Sequence, residues 1–503
     1  QREAVAAHDC VGSNLYAHVL RGTVKRVVPR PNDAINETWI SDRDRFSYEG
    51  IYSSERLMSP RVRRAGKWQD ISWENALREL AEKLQSVQPD GIGILASPGS
   101  TVEESHLLAR LADHLKTSNI DHRLRRTDFS DEAHEPLFPW LGSDIADLEQ
   151  CDAVLLAGSE LRKEAPILAH RVRKAALRGA RVISADSAPG DYHFDLAVDM
   201  HGKDLVDLLS GLAVAASEGK SLPKFVGALC KGVKPTADQA SSARILNEAD
   251  NGLLLLGLNA SRHPASASVR ALAAAIAELT GCRLGFVSEG ANSAGAHLAG
   301  VLPHRWAGGK ERSSKGKNVV DMLDDGLDAL ILFGLEPDRD IIGDDVVSRL
   351  SSTGFVAAIS SYDSEVLRQT ADLLLPLGTF AETSGTFVNC EGRWQSFGGI
   401  SNPVGESRPG WKILRVLGNL LDAPDFDYQT SEEIRDELRS SLGDYSPNSE
   451  YRAASTPAAY KANAQANGHA LVPMYGVDPV VRRARALQLT PEARRAAAGV
   501  YSR

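Results

Sequence analysis

The chain holds only five cysteines in 503 residues, at positions 10, 151, 230, 282 and 390, and no two of them form a CxxC pair. Neither a disulfide framework nor a zinc or iron–sulfur ligand set can be read from such spacing, and a reducing compartment fits it. Long apolar runs are also lacking. No stretch approaches the roughly 18 to 20 uninterrupted apolar residues that a bilayer span requires, so any link to a membrane is expected to go through partners. Basic excess is absent as well: 57 Lys and Arg face 66 Asp and Glu, for a net charge of -9 and a pI near 5.9. That balance argues against a nucleic-acid binder, which carries a basic face or domain. The chain opens QREAVAAHDC, with neither a methionine nor an apolar signal segment, and the expectation is that an upstream part exists.

What is present is the composition of a folded globular protein, 43% hydrophobic and 24% charged. At about 150 residues per domain the length predicts two to four domains. From His18, the text HVLRGTVKRVVPRPNDAINETWI places Val19, Val24, Val27 and Val28 in short strands broken by Gly22 and by a Pro-Asn-Asp turn, so the first seventy residues read as a small β module. At WQDISWENALRELAEKL the period becomes helical. Ser72 stands at the N-cap, and Ala76, Leu77, Leu80, Ala81 and Leu84 share one face.

DAVLLA at 152–157 is a continuous apolar strand that ends in Gly158-Ser159-Glu160; a helical stretch, Gly179 and a second strand RVISAD complete a βαβ unit with a buried parallel sheet. The phrase returns 176 positions later, DAVLLAGSE at 152–160 against DALILFGLE at 328–336, which predicts two related α/β domains. Strand edges of this kind bind phosphates through free helix N-terminal N–H groups, but a glutamate at the edge disfavours a phosphate. EGANSAGAHLAGVLPHR at 289–305 carries His297 and His304, which read as hydrogen-bonded structural residues, and no nucleophile, base and orienting partner can be assembled. From Ser446 the text is rich in Ala, Pro, Asn and Ser, with eight Lys or Arg against three Asp or Glu, so +5. This tail is expected to lie as a strap on the acidic body or on a partner.

DRFSYEGIYSSERLMSPRVRRAGKWQDISWENAL at 44–77 and ADLLLPLGTFAETSGTFVNCEGRWQSF at 371–397 resemble the opening segment and the later signature of molybdopterin oxidoreductases. HDCVGSNLYAHVLRG, AINETWISDRDRF, NIDHRLRRTDFSDE and YGVDPVVRRARALQ are similar to the G-subunit family of NADH:quinone oxidoreductase, respiratory complex I, rather than to formate dehydrogenase or nitrate reductase. The resemblance covers nearly the whole chain. It implies an α/β fold of the formate dehydrogenase/DMSO reductase type, with two Rossmann-like parallel-sheet domains and a small N-terminal β module. The divisions expected are 1–70 for a degenerate iron–sulfur-type module, 71–250 and 251–425 for the two α/β domains, the second holding the ETSGTFVNCEGR loop, and 426–503 for an extended tail.

The superfamily binds an iron–sulfur cluster through C-x2-C-x3-C-x27-C. Aligned on that pattern, this chain has Ala6, Asp9, Ser13 and Ser41 at the four ligand positions, with every spacing kept and every thiolate missing, while Cys10 is one residue out of register. Ala has no donor atom, and Asp and Ser are hard donors poorly matched to a sulfide cluster, so the site is expected to be vestigial. In active members a loop corresponding to NIDHRLRRTDFSDE supplies a molybdenum ligand; here it offers Asp121, His122, Asp128, Ser130 and Asp131 without a thiol, and reads as a polar network instead. No catalytic residue, cofactor site or metal site is therefore expected in this chain. The resemblance assigns the 2Fe-2S and 4Fe-4S clusters of the parent protein to a preceding half. It implies a structural role in NADH:quinone oxidoreductase, beside the other hydrophilic subunits of that complex. The implied location is peripheral, on the cytoplasmic face of a bacterial inner membrane or the matrix side of a mitochondrial one. Two other readings stay open: a working molybdopterin-dependent oxidoreductase, and an interaction scaffold for another dehydrogenase.

Overall fold

The computed structural model describes residues 1–451 and 472–498, apart from 188, 203 and 344. Three antiparallel strands come first: β1 (Arg2–Val5), β2 (Asn14–Leu20) and β3 (Thr23–Pro29). A short helix, Asp42–Phe46, follows. Two parallel sheets make up the bulk of the chain. One is built from β4 (Arg61–Arg64), β5 (Lys67–Asp70), β6 (Ile92–Ala96), β7 (Ile120–Asp121), β13 (Ala329–Phe333), β14 (Val356–Ser360) and β15 (Leu373–Pro376), in the order β5-β4-β15-β14-β13-β6-β7. Its β4 and β5 are antiparallel additions to a parallel centre. The other contains β8 (Ala153–Ala157), β9 (Arg181–Asp186), β10 (Val198–His201), β11 (Gly252–Leu256) and β12 (Arg283–Phe286), in the order β10-β9-β8-β11-β12. A hairpin of β16 (Gly385–Val388) and β17 (Trp394–Phe397) carries the ETSGTFVNCEGR text.

The central strands read IGILA, AVLLA, GLLLL, ALILF and VAAIS and are buried along their whole length. Helices covering both faces of a parallel sheet impose that pattern. The helix Trp73–Gln85 starts at the expected cap, where the Ser72 hydroxyl accepts the Asn75 N–H, and it buries the predicted Ala76, Leu77, Leu80, Ala81 and Leu84 together with Trp73.

The sheets do not follow the expected domain divisions. The five-stranded sheet spans residues 153–286 and is inserted between β7 and β13 of the seven-stranded one, so boundaries at 71–250 and 251–425 cut across both. β4 and β5, placed in the first module, belong to the seven-stranded sheet. The reason is that the repeated phrase marks a central strand of each sheet, β8 and β13, and not the start of a domain. A parallel strand is free to take its neighbour from a distant crossover.

Nor are residues 426–503 extended throughout. Ser431–Leu442 is a helix capped by Thr430, and its Ile434 and Leu438, one turn apart, are fully buried in the core that also holds β6 and the helix Val102–His114. Beyond 446, residues 472–498 run as a strap with two short helices, Arg485–Gln488 and Pro491–Ala497, whose Tyr475, Val481, Ala484 and Leu487 pack with Phe46 of the first module. The rest of the predicted tail, 452–471 and 499–503, lies outside the described residues. No helix among the described residues is long and apolar enough to cross a membrane.

Because Leu438 is a core residue, Leu438→Ala is expected to cost about 2–5 kcal/mol of unfolding free energy in a urea titration. A change below about 0.5 kcal/mol, the size of an exposed substitution, would show that the helix does not belong to the body.

Candidate functional site

The four aligned positions sit in a buried corner of the first module. Ala6 and Ser13 are wholly buried and joined by the Ala6 N–H donating to the Ser13 carbonyl at 2.9 Å. Ser13 Oγ has no hydrogen-bond partner. Ser41 caps the helix Asp42–Phe46: its Oγ accepts the Asp44 N–H at 3.1 Å and donates to Asp44 Oδ2 at 2.8 Å. That helix brings Arg43, 1% exposed, to Asp9, whose Oδ2 accepts Arg43 Nη2 at 3.0 Å while Oδ1 accepts the Val11 N–H at 3.1 Å. Arg43 also donates to the carbonyls of Lys163 at 3.0 Å and Glu164 at 2.6 Å. Burial, with the Asp9 charge nearby, pushes the Asp44 carboxyl up to about 6. Cys10 turns away into another core, where its carbonyl accepts the Cys390 N–H at 2.8 Å.

The DHRLRR segment and the residues after it form a buried ionic network. Arg123 donates to both Asp121 oxygens at 2.9 Å and to Glu132 at 2.9 Å; Arg126 and Arg270 share Asp131. Asp128 accepts from Ser130 and from the Ala267 N–H. His122 faces the Val301 carbonyl through Nδ1 at 2.8 Å and His297 Nδ1 through Nε2 at 3.1 Å, and His297 Nδ1 faces the Ser293 carbonyl at 2.8 Å. Burial pushes the His122 imidazole down to about 4 and His297 well below the ordinary value, so both are neutral. His304 lies 3.3 Å from Glu132. His122, Arg123, Arg126, Arg270 and His297 line a cavity of about 120 Å³ whose walls also include the apolar Leu256, Phe286 and Pro139 and the charged Arg125 and Glu289.

Four residues beyond the two strand-edge glutamates lies a feature that their own positions do not disclose. Strand order reverses beside β8 in one sheet and beside β6 in the other, which is where open α/β sheets receive ligands. Gly158 and Gly334 take left-handed φ of 56° and 71°, turning the chain back over the strand ends. The Glu160 N–H donates to Glu164 Oε1 at 3.1 Å, and the Glu336 N–H donates to Asp340 Oδ2 at 2.8 Å. Positions 160 and 164 correspond to 336 and 340 at the same offset of 176, so each strand edge is capped by a carboxylate of its own chain. Extending the repeat by four residues would have found both. Glu164 Oε2 also accepts Ser159 Oγ at 2.9 Å, and burial pushes this carboxyl up to about 7.

The profile of the molybdopterin oxidoreductase family matches residues 56–420. The chain belongs to that family. Residues 1–49 match the NADH-ubiquinone oxidoreductase NDSU1/NuoG-like, 4Fe-4S domain. Similar proteins include the mitochondrial 78 kDa subunit of NADH-ubiquinone oxidoreductase of Candida albicans, 28% identical over 84% of this chain and 52% of that protein. The G subunit of the NADH-quinone oxidoreductase of Rickettsia conorii is 26% identical over 86% of this chain and 57% of that one. The chain thus spans about half the length of these relatives. Acetylene hydratase from Pelobacter acetylenicus shares the fold with a TM-score of 0.69, at 14% identity, over 90% of this chain and 74% of that one.

The donor set does not fit the cluster that the match over residues 1–49 implies. Fe–S clusters take thiolates, whereas Ala6 offers nothing, Asp9 is held by Arg43 and Ser41 is spent on its helix cap. In the loop where molybdenum would find a ligand, Asp121, His122, Asp128, Ser130 and Asp131 are each engaged with protein partners. No group of three or more His, Cys, Asp or Glu among the described residues is placed to hold a metal ion.

Arg43→Ala leaves the buried Asp9 carboxylate unpaired and is expected to cost about 3–5 kcal/mol. Ser13→Ala removes an unpartnered hydroxyl and should leave stability unchanged or raise it by about 1 kcal/mol; thermal unfolding of the two variants checks the contrast. Glu164 gives a pH signature. Its folded value of about 7 lies above the ordinary 4.5, so its contribution is complete below pH 4.5 and is lost as the pH rises toward 7. Glu164→Gln cannot titrate, and its stability relative to the native chain should rise across that window and level off above it. A pH-independent difference in urea unfolding would contradict this.

Proposed function

We propose that this chain is the structural, molybdopterin-oxidoreductase-like portion of the G subunit in the peripheral arm of NADH:quinone oxidoreductase, with no redox centre of its own. The observation that carries the reading is the replacement at the four cluster positions: the geometry there is that of a packed corner closed by the Asp9–Arg43 pair. Similarity to proteins of that name over most of the chain supports the assignment to the complex. In it, Ala6, Asp9, Ser13 and Ser41 are vestiges of a ligand set. The chain supports electron transfer from NADH to quinone by holding neighbouring hydrophilic subunits in place, and the clusters belong to the part of the parent protein that this chain does not cover. It reaches the membrane through those partners, on the cytoplasmic face in a bacterium or the matrix side in a mitochondrion.

Two measurements test the proposal. Elemental analysis of the purified chain should find neither molybdenum nor stoichiometric iron; about one molybdenum or about four irons per chain would instead favour a working molybdopterin enzyme. An affinity-tagged chain expressed in its source cells should copurify with NADH-oxidising activity, and recovery with a different dehydrogenase would sink the assignment.

A further inference from the structure

Between the C-terminal edges of the two sheets lies a cleft whose occupant is the strap. Residues 477–479 border a void of about 50 Å³ with His8, Asp9, Arg43 and Arg125, and 478–480 border a second of about 100 Å³ with Ser100, Gly334 and Thr379. Sites for drug-sized ligands are of the order of 300–1,000 Å³, so what the strap leaves open is too small for a dinucleotide. The strap is fastened at both ends of this passage. Asp478 Oδ2 meets His8 Nδ1 at 2.7 Å, and His8 Nε2 meets Ser47 Oγ at 2.6 Å. Its backbone passes so close to Gly50 that a Cβ there would lie 2.1 Å from the Val480 carbonyl oxygen.

The decisive contacts are two arginines. Arg482 Nη1 and Nη2 donate to Asp340 Oδ1 and Oδ2, each at 2.9 Å, and Nη2 also reaches Glu336 Oε2 at 3.0 Å. Arg483 forks onto Glu336 at 3.0 and 2.7 Å, and its Nε reaches Glu55 at 2.7 Å while its guanidinium lies 4.0 Å from the Tyr362 ring centroid. Arg125 donates to Asp340 at 2.9 Å and to the Val477 carbonyl at 3.2 Å. Three guanidiniums therefore face three carboxylates. With the strap in place Glu336 and Asp340 are almost entirely buried and paired; without it the edge would be an acidic cleft short of counter-charge, the reverse of a phosphate site.

We propose that the cleft beside β13 is a binding site for a paired-arginine segment, that the strap of this chain is its built-in ligand, and that this ligand stands at the sheet edge where an open α/β fold would admit a small molecule. The site recognises planar cationic side chains bidentately, so lysines are poor substitutes. This inference concerns contacts within the chain and stands whatever assembly the chain joins.

Hydrogen–deuterium exchange on the full chain, followed by mass spectrometry, tests it with Arg482→Gln/Arg483→Gln, Arg482→Lys/Arg483→Lys and the fourfold variant that adds Glu336→Gln and Asp340→Asn. Amides of 475–489 are expected to exchange at least about tenfold faster in the double Gln variant, less so in the Lys variant, while the helices Trp73–Gln85 and Ser266–Thr280 keep their native rates. A fluorescein-labelled peptide of residues 475–489 should then bind the double Gln variant, more weakly as salt is raised, but neither the native chain, whose cleft is filled, nor the fourfold variant, whose carboxylates are gone. Should the double Gln variant lose protection everywhere, the fourfold variant, which neutralises both buried carboxylates and leaves Arg125 with Glu289 as its ion partner, decides by the exchange of its strap alone. Strap exchange within about twofold of native in a variant that remains folded, or equal peptide binding by the native chain, overturns the proposal.

Discussion

A guanidinium taken almost completely out of water draws acceptors to itself, and although the Arg43 Nε has no partner, its two terminal nitrogens are where this requirement joins the molecule together. Its two terminal nitrogens reach Asp9 in the first module, the Lys163 and Glu164 carbonyls at the edge of the five-stranded sheet, and, at 3.5 Å, the Met474 carbonyl of the strap. Removing any one of these acceptors leaves charge or donors stranded in a medium where desolvation is expensive. The first module, the inserted sheet and the strap are therefore all touched by one side chain. It sits in the corner where the family's alignment places a cluster.

The same reasoning runs along the two sheet edges. At the C-terminal edge of a parallel sheet the loops and helix N-termini that follow the strands present free N–H groups, and a fold of this kind ordinarily offers them to a ligand. Here each edge supplies its own acceptor four residues downstream, Glu164 in one sheet and Asp340 in the other. The surroundings of the two differ. Asp340 is flanked by the guanidiniums of Arg125 and Arg482, which balance its charge; at Glu164 burial outweighs a hydroxyl, backbone amides and the charge of Arg262, and the carboxyl is pushed up to about 7. A family fold has been kept while the polar groups at its openings have been turned inward on one another.

Much of the fold is legible in the sequence. The caps and faces of helices, the buried parallel strands and the 176-residue repeat follow from local periodicity, and Ser72 with Leu77, Leu80 and Leu84 shows how directly they do so. Residues 6, 9, 13 and 41, singled out by their spacing, are each buried. The helix of Ile434 and Leu438 escapes such a reading because its surroundings are polar and its neighbours in sequence lack strand rhythm; only packing on the helix Val102–His114 reveals its role.

Composition and periodicity were enough to indicate an α/β chain without a CxxC thiolate set, and the resemblance of its motifs implied the molybdopterin oxidoreductase type, because residue chemistry, period and motif text are local properties. The insertion of one sheet into the other, the arrival of Arg43 at Asp9 and the pairing of Arg482 and Arg483 with Glu336 were decided only in three dimensions. The last of those contacts joins positions 147 residues apart, and which charge meets which depends on chain crossovers and desolvation that no window along the sequence contains.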